Sequence, residues 1–335
     1  VDGQPGPGLN GTAAGAEASS SVATALQALV AMGADRLPLP GSGRTLERWR
    51  RLAAVAQRDL SLAKLYEGHT DALAILEEMD GGPARAGAWG TWCAEPPQAR
   101  LALHARADGS LRLRGRKAWC SGAALLDHAL VSGWNADGEP CLAAVSLRQP
   151  GVRVSDEGWP AVGMADSCSV DVLFDDAVAT AVGPPHAYVR RPGFWHGGAG
   201  IAACWWGGAV GIARAVQAAL SQRDPDPHQR AHLGAIDVAL GTCAALLREA
   251  AGWIDRHPTQ DAQVCALRVR LAVEQGAEQV LRHAGRALGA GPLCKQPALA
   301  RAMADLPVFL RQSHAERDLA ALGLALQRET SLWQL

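Results

Sequence analysis

The sequence predicts an α+β fold in three parts: an N-terminal helical domain, a middle antiparallel β-barrel domain and a C-terminal four-helix bundle. Two observations predict it. Apolar residues recur at helical spacing as far as Met79, alternate at strand spacing from about residue 88 to 178, and return to helical spacing after Gly198. The breaks between these regimes are rich in Gly and Pro, as in "GGPARAG" at 81–87 and "GPPHAYVRRPGFWHGG" at 183–198. The expected divisions are a disordered leader at 1–21, the helical domain at 22–87, the β-domain at 88–182 and the bundle at 183–335.

Each element has its own local reason. The leader, "VDGQPGPGLNGTAAGAEASSS", holds almost nothing that can be buried. "VATALQALVAM" is a short amphipathic helix, "LPLPGSGR" breaks it, and Thr45 caps a run to Met79 that reads as two helices joined near Asp59 to Ser61. Leu101, Leu103 and Ala105 alternate, and "LRLRGRKAW" alternates again after the Asp108-Gly109 turn, as a hairpin requires. "HALVSGW", "PCLAAVSL", "GVRVS" and "CSVDVLF" are further strands. Gly200 to Gln222, Gln229 to Arg256, Asp261 to Leu288 and Pro297 to Gln327 each fit one long helix, and their short connections make an antiparallel bundle.

Composition narrows the function. With 335 residues and 48% hydrophobic content the chain buries a large core, and Lys+Arg 32 against Asp+Glu 33 leaves no basic field for nucleic acid or an anionic membrane. A small-molecule substrate is expected, with no nucleic-acid partner. No run of about 18 apolar residues is present, so a cytoplasmic protein without a membrane partner is expected. The eight cysteines stand singly and read as reduced, apolar residues. His228 and His232 have the i, i+4 spacing of a metal pair but no third ligand at useful spacing, so no metal site is expected.

Three stretches then carry a resemblance: "CAEPP" leading into "LRLRGRKAWCSGAALLDHALVSG", "GVRVSDEGWPAVGMADSCSVDVLFDDAVA", and "RALGAGPL" followed by "ARAMADLPVFLRQSHAERDLAALG". Together with the domain order, they resemble the acyl-CoA dehydrogenase family. The resemblance implies an FAD-dependent oxidation of an acyl thioester, on CoA or a carrier protein, at its α,β-positions. It also implies a homodimer or homotetramer and an electron-transfer partner. Cys93, Ala94, Trp119 and Ser121 would meet the flavin, and Gly289 and Gly291 would meet the flavin dinucleotide of a neighbouring subunit. Arg223 would remain from an Arg-x-x-x-Gly segment that reaches the partner's cofactor.

The residues support parts of this independently. A flavin ring needs an aromatic wall and donors at its edge, and on a strand Trp119 and Ser121 project to one side. Trp119 also reads as one of eleven tryptophans filling a barrel core. Gly289 and Gly291 read equally as a helix C-cap. The departures are plain: Pro97 runs almost directly into the strand at Arg100, so the family's phosphate-wrapping loop is missing, and Ser313 stands where the family's catalytic glutamate belongs. Glu316, read as one helical turn beyond Ser313, is one candidate base and His314 is another. A third reading pairs Glu316 with Arg317 or Arg311 with Asp318 as structure. Two alternative functions follow: a monooxygenase of the same fold supplied by a flavin reductase, and a non-catalytic binding or assembly module.

Overall fold

The computed structural model describes residues 12–327 apart from 83, 85, 108, 109 and 223, with side chains from residue 21 onward. The first helix, α1 (Thr12–Ala31), begins inside the segment expected to be a disordered leader, because Ala13, Ala14, Ala16 and Ala18 are strong helix formers. Residues 1–11 lie outside the described residues. α2 (Thr45–Ala56) and α3 (Leu60–Glu78) follow. Thr45 is not a cap: it is the first helical residue, and its hydroxyl donates to Asp255 Oδ1 at 2.6 Å, tying α2 to the bundle. Asp59 caps α3, accepting from the Leu62 amide at 2.7 Å.

Seven strands form the β-domain: β1 (Trp89–Trp92), β2 (Leu101–Ala105), β3 (Leu111–Cys120), β4 (His128–Trp134), β5 (Pro140–Ser146), β6 (Val152–Val154) and β7 (Val170–Ala181). The order β4-β2-β3-β7-β5 closes into a small barrel through a β4–β5 pairing, with β1 and β6 added at its sides. Its strands are mostly antiparallel, but β1 and β2 both meet β4 in parallel, a departure from the expected all-antiparallel barrel. The β2–β3 hairpin has the expected register, Leu101 opposite Gly115 and Ala105 opposite Leu111; its 108–109 turn lies outside the described residues.

Two short helices, α4 (Ala187–Arg190) and α5 (Gly193–Gly198), lead into α6 (Gly200–Ser221), α7 (Pro227–Arg256) and α8 (Gln263–Leu288). The fourth expected bundle helix is interrupted. After α9 (Ala290–Lys295) come α10 (Pro297–Leu310) and α11 (Glu316–Leu326), separated by a turn in which Ala315 adopts φ 44°. Side chains supply the local acceptors there: Ser313 Oγ accepts from the Ala315 amide at 3.2 Å and Asp318 Oδ2 from the His314 amide at 3.1 Å.

A continuous apolar core joins all three regions, with Trp49, Tyr66, Trp205 and Phe309 fully buried in it. α6 and α7 are long and apolar enough to span a membrane by length and composition. The apolar window containing α6 is 72% buried inside the protein, as a core helix should be, whereas that of α7 is 22% buried and leaves Val238 67% exposed.

Candidate functional site

The Glu-Pro turn and the "GRKAW" strand meet through a buried ion pair. Lys117 on β3 is fully buried, and its Nζ donates to Glu95 Oε1 at 2.6 Å, Ser132 O at 2.8 Å and Ser132 Oγ at 2.9 Å. All three ammonium protons are therefore used. Glu95 also accepts from the Ser132 hydroxyl and from Trp134 Nε1 at 2.9 Å. Burial alone would raise the Glu95 carboxyl, but Lys117 and these donors hold it below its ordinary value. Both motif residues thus fix β3 and β4 to the turn.

Beyond Lys117 the strand bulges. Lys117 pairs with Val172 and Cys120 with Val170, so β3 uses one residue more than β7 over this interval. Trp119, at φ 57°, is turned out of the barrel and stands 51% exposed, which excludes the core-filling reading. The bulge also breaks the simple alternation of Trp119 with Ser121, which lies just past the strand end. Ser121 Oγ is 2.8 Å from Ser169 Oγ, which is 2.8 Å from Ser167 Oγ, and Ser167 donates to Met164 O at 2.7 Å. Because the Ser167 proton is committed to Met164 O, the chain is satisfied when Ser169 donates to Ser167 and Ser121 to Ser169, which leaves the Ser121 oxygen as an acceptor for a ligand donor.

Ser121 borders a small crevice of about 10 Å³ lined by Lys64, Gly68, Thr91 and Trp92. Three bonds set its walls. Thr91 Oγ1 donates to Gly68 O at 2.8 Å, Trp92 Nε1 donates to Ser121 O at 3.1 Å, and the Trp89 amide donates to His69 Nδ1 at 3.0 Å. His69 Nδ1 is thereby an acceptor, so the proton sits on Nε2 and donates to Asp35 Oδ2 at 3.1 Å, and burial lowers the pKa of this ring. α3 and β1 are held together by these contacts.

A flat flavin ring fits this place in one respect: Trp119 offers an exposed aromatic face two residues from a hydroxyl with spare hydrogen-bonding capacity. Its phosphates do not fit it. The crevice holds no more than about a water molecule, and its one basic side chain, Lys64, is paired with Glu67 at 3.2 Å. Ala94 is exposed, while Cys93 packs on the smaller apolar cluster beside Leu130, Leu142 and Tyr188, and burial pushes its thiol up to about 11. Gly289 closes α8 at φ 68° and Gly291 lies in α9, both with open space around them, in a segment that packs chiefly on α8 and α10. Arg223 lies outside the described residues.

The two candidate bases do not share a helix with Ser313. Glu316 is the exposed first residue of α11, and His314 is exposed in the turn, its Nδ1 3.5 Å from Asp318 Oδ1. Arg311 pairs with Glu274 at 2.6 Å and Glu278 at 3.0 Å, both on α8, so the structural pairing exists with partners other than those expected. His232 faces His283 at 3.0 Å and not His228. Sequence reasoning missed the face of α3 carrying Lys64, Gly68 and Asp71. Its signal was a set of non-apolar residues at i, i+4 and i+7 inside an otherwise buried helix.

No protein-family model and no curated protein matches the chain. Solved structures do. Dibenzothiophene monooxygenase TdsC from Paenibacillus sp. A11-2 is 19% identical over 96% of this chain and 100% of that one, with a TM-score of 0.73. Nitrososynthase from Micromonospora carbonacea var. africana is 18% identical over 95% and 93%, with a TM-score of 0.77. Butyryl-CoA dehydrogenase from Megasphaera elsdenii is 16% identical over 85% and 82%, with a TM-score of 0.73. The chain therefore has the acyl-CoA dehydrogenase fold that its strand and bundle sequences resemble.

Proposed function

We propose that this protein is a flavin-dependent oxidoreductase that holds its flavin loosely and acts as a monooxygenase on a small substrate, drawing reduced flavin from a separate reductase. The observation that carries this reading is the half-exposed Trp119 held by a bulge beside Ser121, in a chain without the phosphate-wrapping loop. Solved structures of TdsC with FMN and indole, and of KijD3 with FMN and a dTDP-linked amino sugar, support it. The ring would lie against Trp119 with Ser121 at its polar edge, and when bound it supplies the redox chemistry. The chain's own residues orient the ring and fix β3 through Lys117.

The likeness to butyryl-CoA dehydrogenase keeps acyl-thioester oxidation with FAD as the second reading. For either, the outer face of α7 around Val238 would bury a second copy of the chain, giving a homodimer or homotetramer. On α8, by contrast, "LAVEQGAEQVL" is largely buried within its own bundle.

The test is titration of the purified protein with FMN and FAD, read by flavin fluorescence, followed by oxygen uptake with chemically reduced flavin and indole, and by assay on butyryl-CoA. Binding that weakens roughly tenfold, about 1.4 kcal/mol, in Trp119→Ala supports the site. No binding of either flavin ends both readings and leaves the non-catalytic module.

A further inference from the structure

A second cavity, sharing no residue with the Ser121 crevice, lies where α2, α6 and α7 meet. Its volume is about 100 Å³, large for a protein interior, where voids bigger than a water molecule are few. One alanine from each helix, Ala53, Ala203 and Ala244, stands in the wall, and these short side chains leave the space open. The fold holds it open as well. Thr45 Oγ1 fixes one end of α2 to α7 by donating to Asp255 Oδ1 at 2.6 Å. Towards its other end α2 lies directly on α6, where a Cβ on Gly207 would collide with Ala53 O. Trp206, also in the wall, donates its Nε1 to Leu240 O at 3.1 Å, which locks the indole against α7. Filling the cavity by a shift of α2 or a turn of Trp206 breaks one of these contacts.

The deep part of the wall is apolar and the outer part is cationic. Ala53, Ala203 and Leu247 are buried, whereas Arg50 of α2 and Arg248 of α7 are exposed. No carboxylate lines the cavity, and α6 contributes only Ala203 and Trp206 to it. Among the described residues neither arginine makes a hydrogen bond or an ion pair. The acids nearest to them in sequence are engaged: Glu47 pairs with Arg44 and Arg51, and Glu249 pairs with Arg256 at 3.5 Å. Two unpaired guanidiniums over an apolar recess match a ligand with an anionic head and a short apolar tail. Burying the tail removes hydrocarbon from water, and a planar carboxylate takes the paired N–H groups of a guanidinium.

We propose that this cavity binds a short-chain carboxylate, with the tail among Ala53, Ala203, Ala244 and Trp206 and the carboxylate on Arg50 and Arg248. A cavity of roughly 150 Å³ holds a benzene ring, so this smaller one takes a tail of about four carbons. The bound ligand ties α2 of the N-terminal region to α7 of the bundle. The site is separate from the Ser121 crevice and does not depend on flavin.

The experiment titrates the full chain with sodium pentanoate by calorimetry and follows its melting temperature. Pentanamide, which keeps the tail and lacks the charge, and acetate, which keeps the charge and lacks the tail, are the controls. Pentanoate should bind at a single saturable site and raise the melting temperature, and each control should bind roughly tenfold more weakly. Arg50→Gln and Arg248→Gln should each weaken pentanoate roughly tenfold and leave pentanamide unchanged. Both positions are exposed, so neither change threatens the fold. Ala244→Leu should fill the cavity and abolish binding with an unchanged circular dichroism spectrum, and FMN should not compete. Absence of pentanoate binding overturns the proposal, and so does an affinity equal to that of acetate, which means an adventitious ion only. Affinity retained in both Arg→Gln variants or in folded Ala244→Leu, or lost to FMN, puts the carboxylate elsewhere and also overturns it. Pentanoate that binds only by dissociating a dimer assigns the cavity to an acidic side chain of a second copy, and the small-ligand site is then wrong.

Discussion

The turn between α10 and α11 and the middle of α3 are both polar places in apolar surroundings, and they differ in one respect. In the turn the charged and hydroxyl groups nearest the break have partners: Arg311 reaches Glu274 and Glu278, Asp318 takes the His314 amide, and Ser313 takes the Ala315 amide. On α3, Asp71 faces a glycine and has no partner among the described residues. Density of charge here marks the place where a helix is broken and re-tied, while the carboxylate on α3 is left without a partner side chain. Substitutions that leave a buried group unanswered, or that relieve one, sharpen this contrast.

The largest effect is expected at Lys117. Lys117→Ala leaves Glu95 and Ser132 without their shared donor inside the barrel, and should lower stability by about 3–5 kcal/mol in denaturant unfolding. Replacing Lys117 and Glu95 together by Met should recover most of that loss, because neither charge is then stranded. A double variant as unstable as the single one would mean that the hydrogen bonds to Ser132 and Trp134, and not the ion pair, hold the turn.

Asp305 stands between the two extremes. It is 3% exposed on α10, and its Oδ1 accepts from the Met164 amide at 2.5 Å, joining the bundle to the β-domain. Burial pushes its carboxyl from 3.8 up to about 6, against the opposing bond from Met164. A pKa raised by folding means that the ionised form destabilises the native state above pH 6, and that this cost disappears as pH falls through 6 towards 3.8. Asp305→Asn keeps an acceptor for Met164 and loses the charge, so it should gain about 2–3 kcal/mol at pH 8 and nothing at pH 3.5. Equal melting temperatures of the two proteins at pH 8 would show that the carboxylate is better solvated than its burial implies.

Much of the architecture was legible because burial imposes periods, and the three regimes of spacing located the two helical regions and the barrel. Features that depend on tertiary contact were not. Thr45 resembles a cap in sequence, but Asp255, 210 residues away, takes its hydroxyl. The break at Ala315 is invisible to helical periodicity because the apolar pattern continues on both sides of it. Trp119 was legible as an aromatic wall, whereas its outward turn needed the bulge, which belongs to the pairing with β7. Asp71 carries no motif at all. Its one sequence signal is the helical spacing it shares with Lys64 and Gly68, and its neighbours are known only after α3, α5 and the end of β1 are brought together.

Arg311 tests the satisfied side of the comparison. Arg311→Ala strands Glu274, whose side chain is 7% exposed, but the guanidinium itself is half exposed and screened by solvent, so a loss of about 1–2 kcal/mol is expected. Adding Glu274→Gln should restore roughly half of it, since a neutral amide tolerates the loss of its cation. A loss as large as that of Lys117→Ala would place the turn among the principal supports of the bundle.

The smallest effects are expected at Glu316 and His314. Glu316 heads α11 in solvent, where its charge meets only the partial positive charge of a helix start, and His314 stands beside Asp318 at a distance that salt screens. Glu316→Gln should leave the melting temperature within about 1 °C of wild type, and His314→Ala should do the same. The decisive reading is turnover and not stability. If either variant slows oxygen uptake with reduced flavin and indole roughly tenfold while the fold is intact, a group on this turn reaches the substrate, and the break at Ala315 would then be the device that turns it inward. If neither does, two solvent-facing residues inside the most charged segment of the bundle are inert.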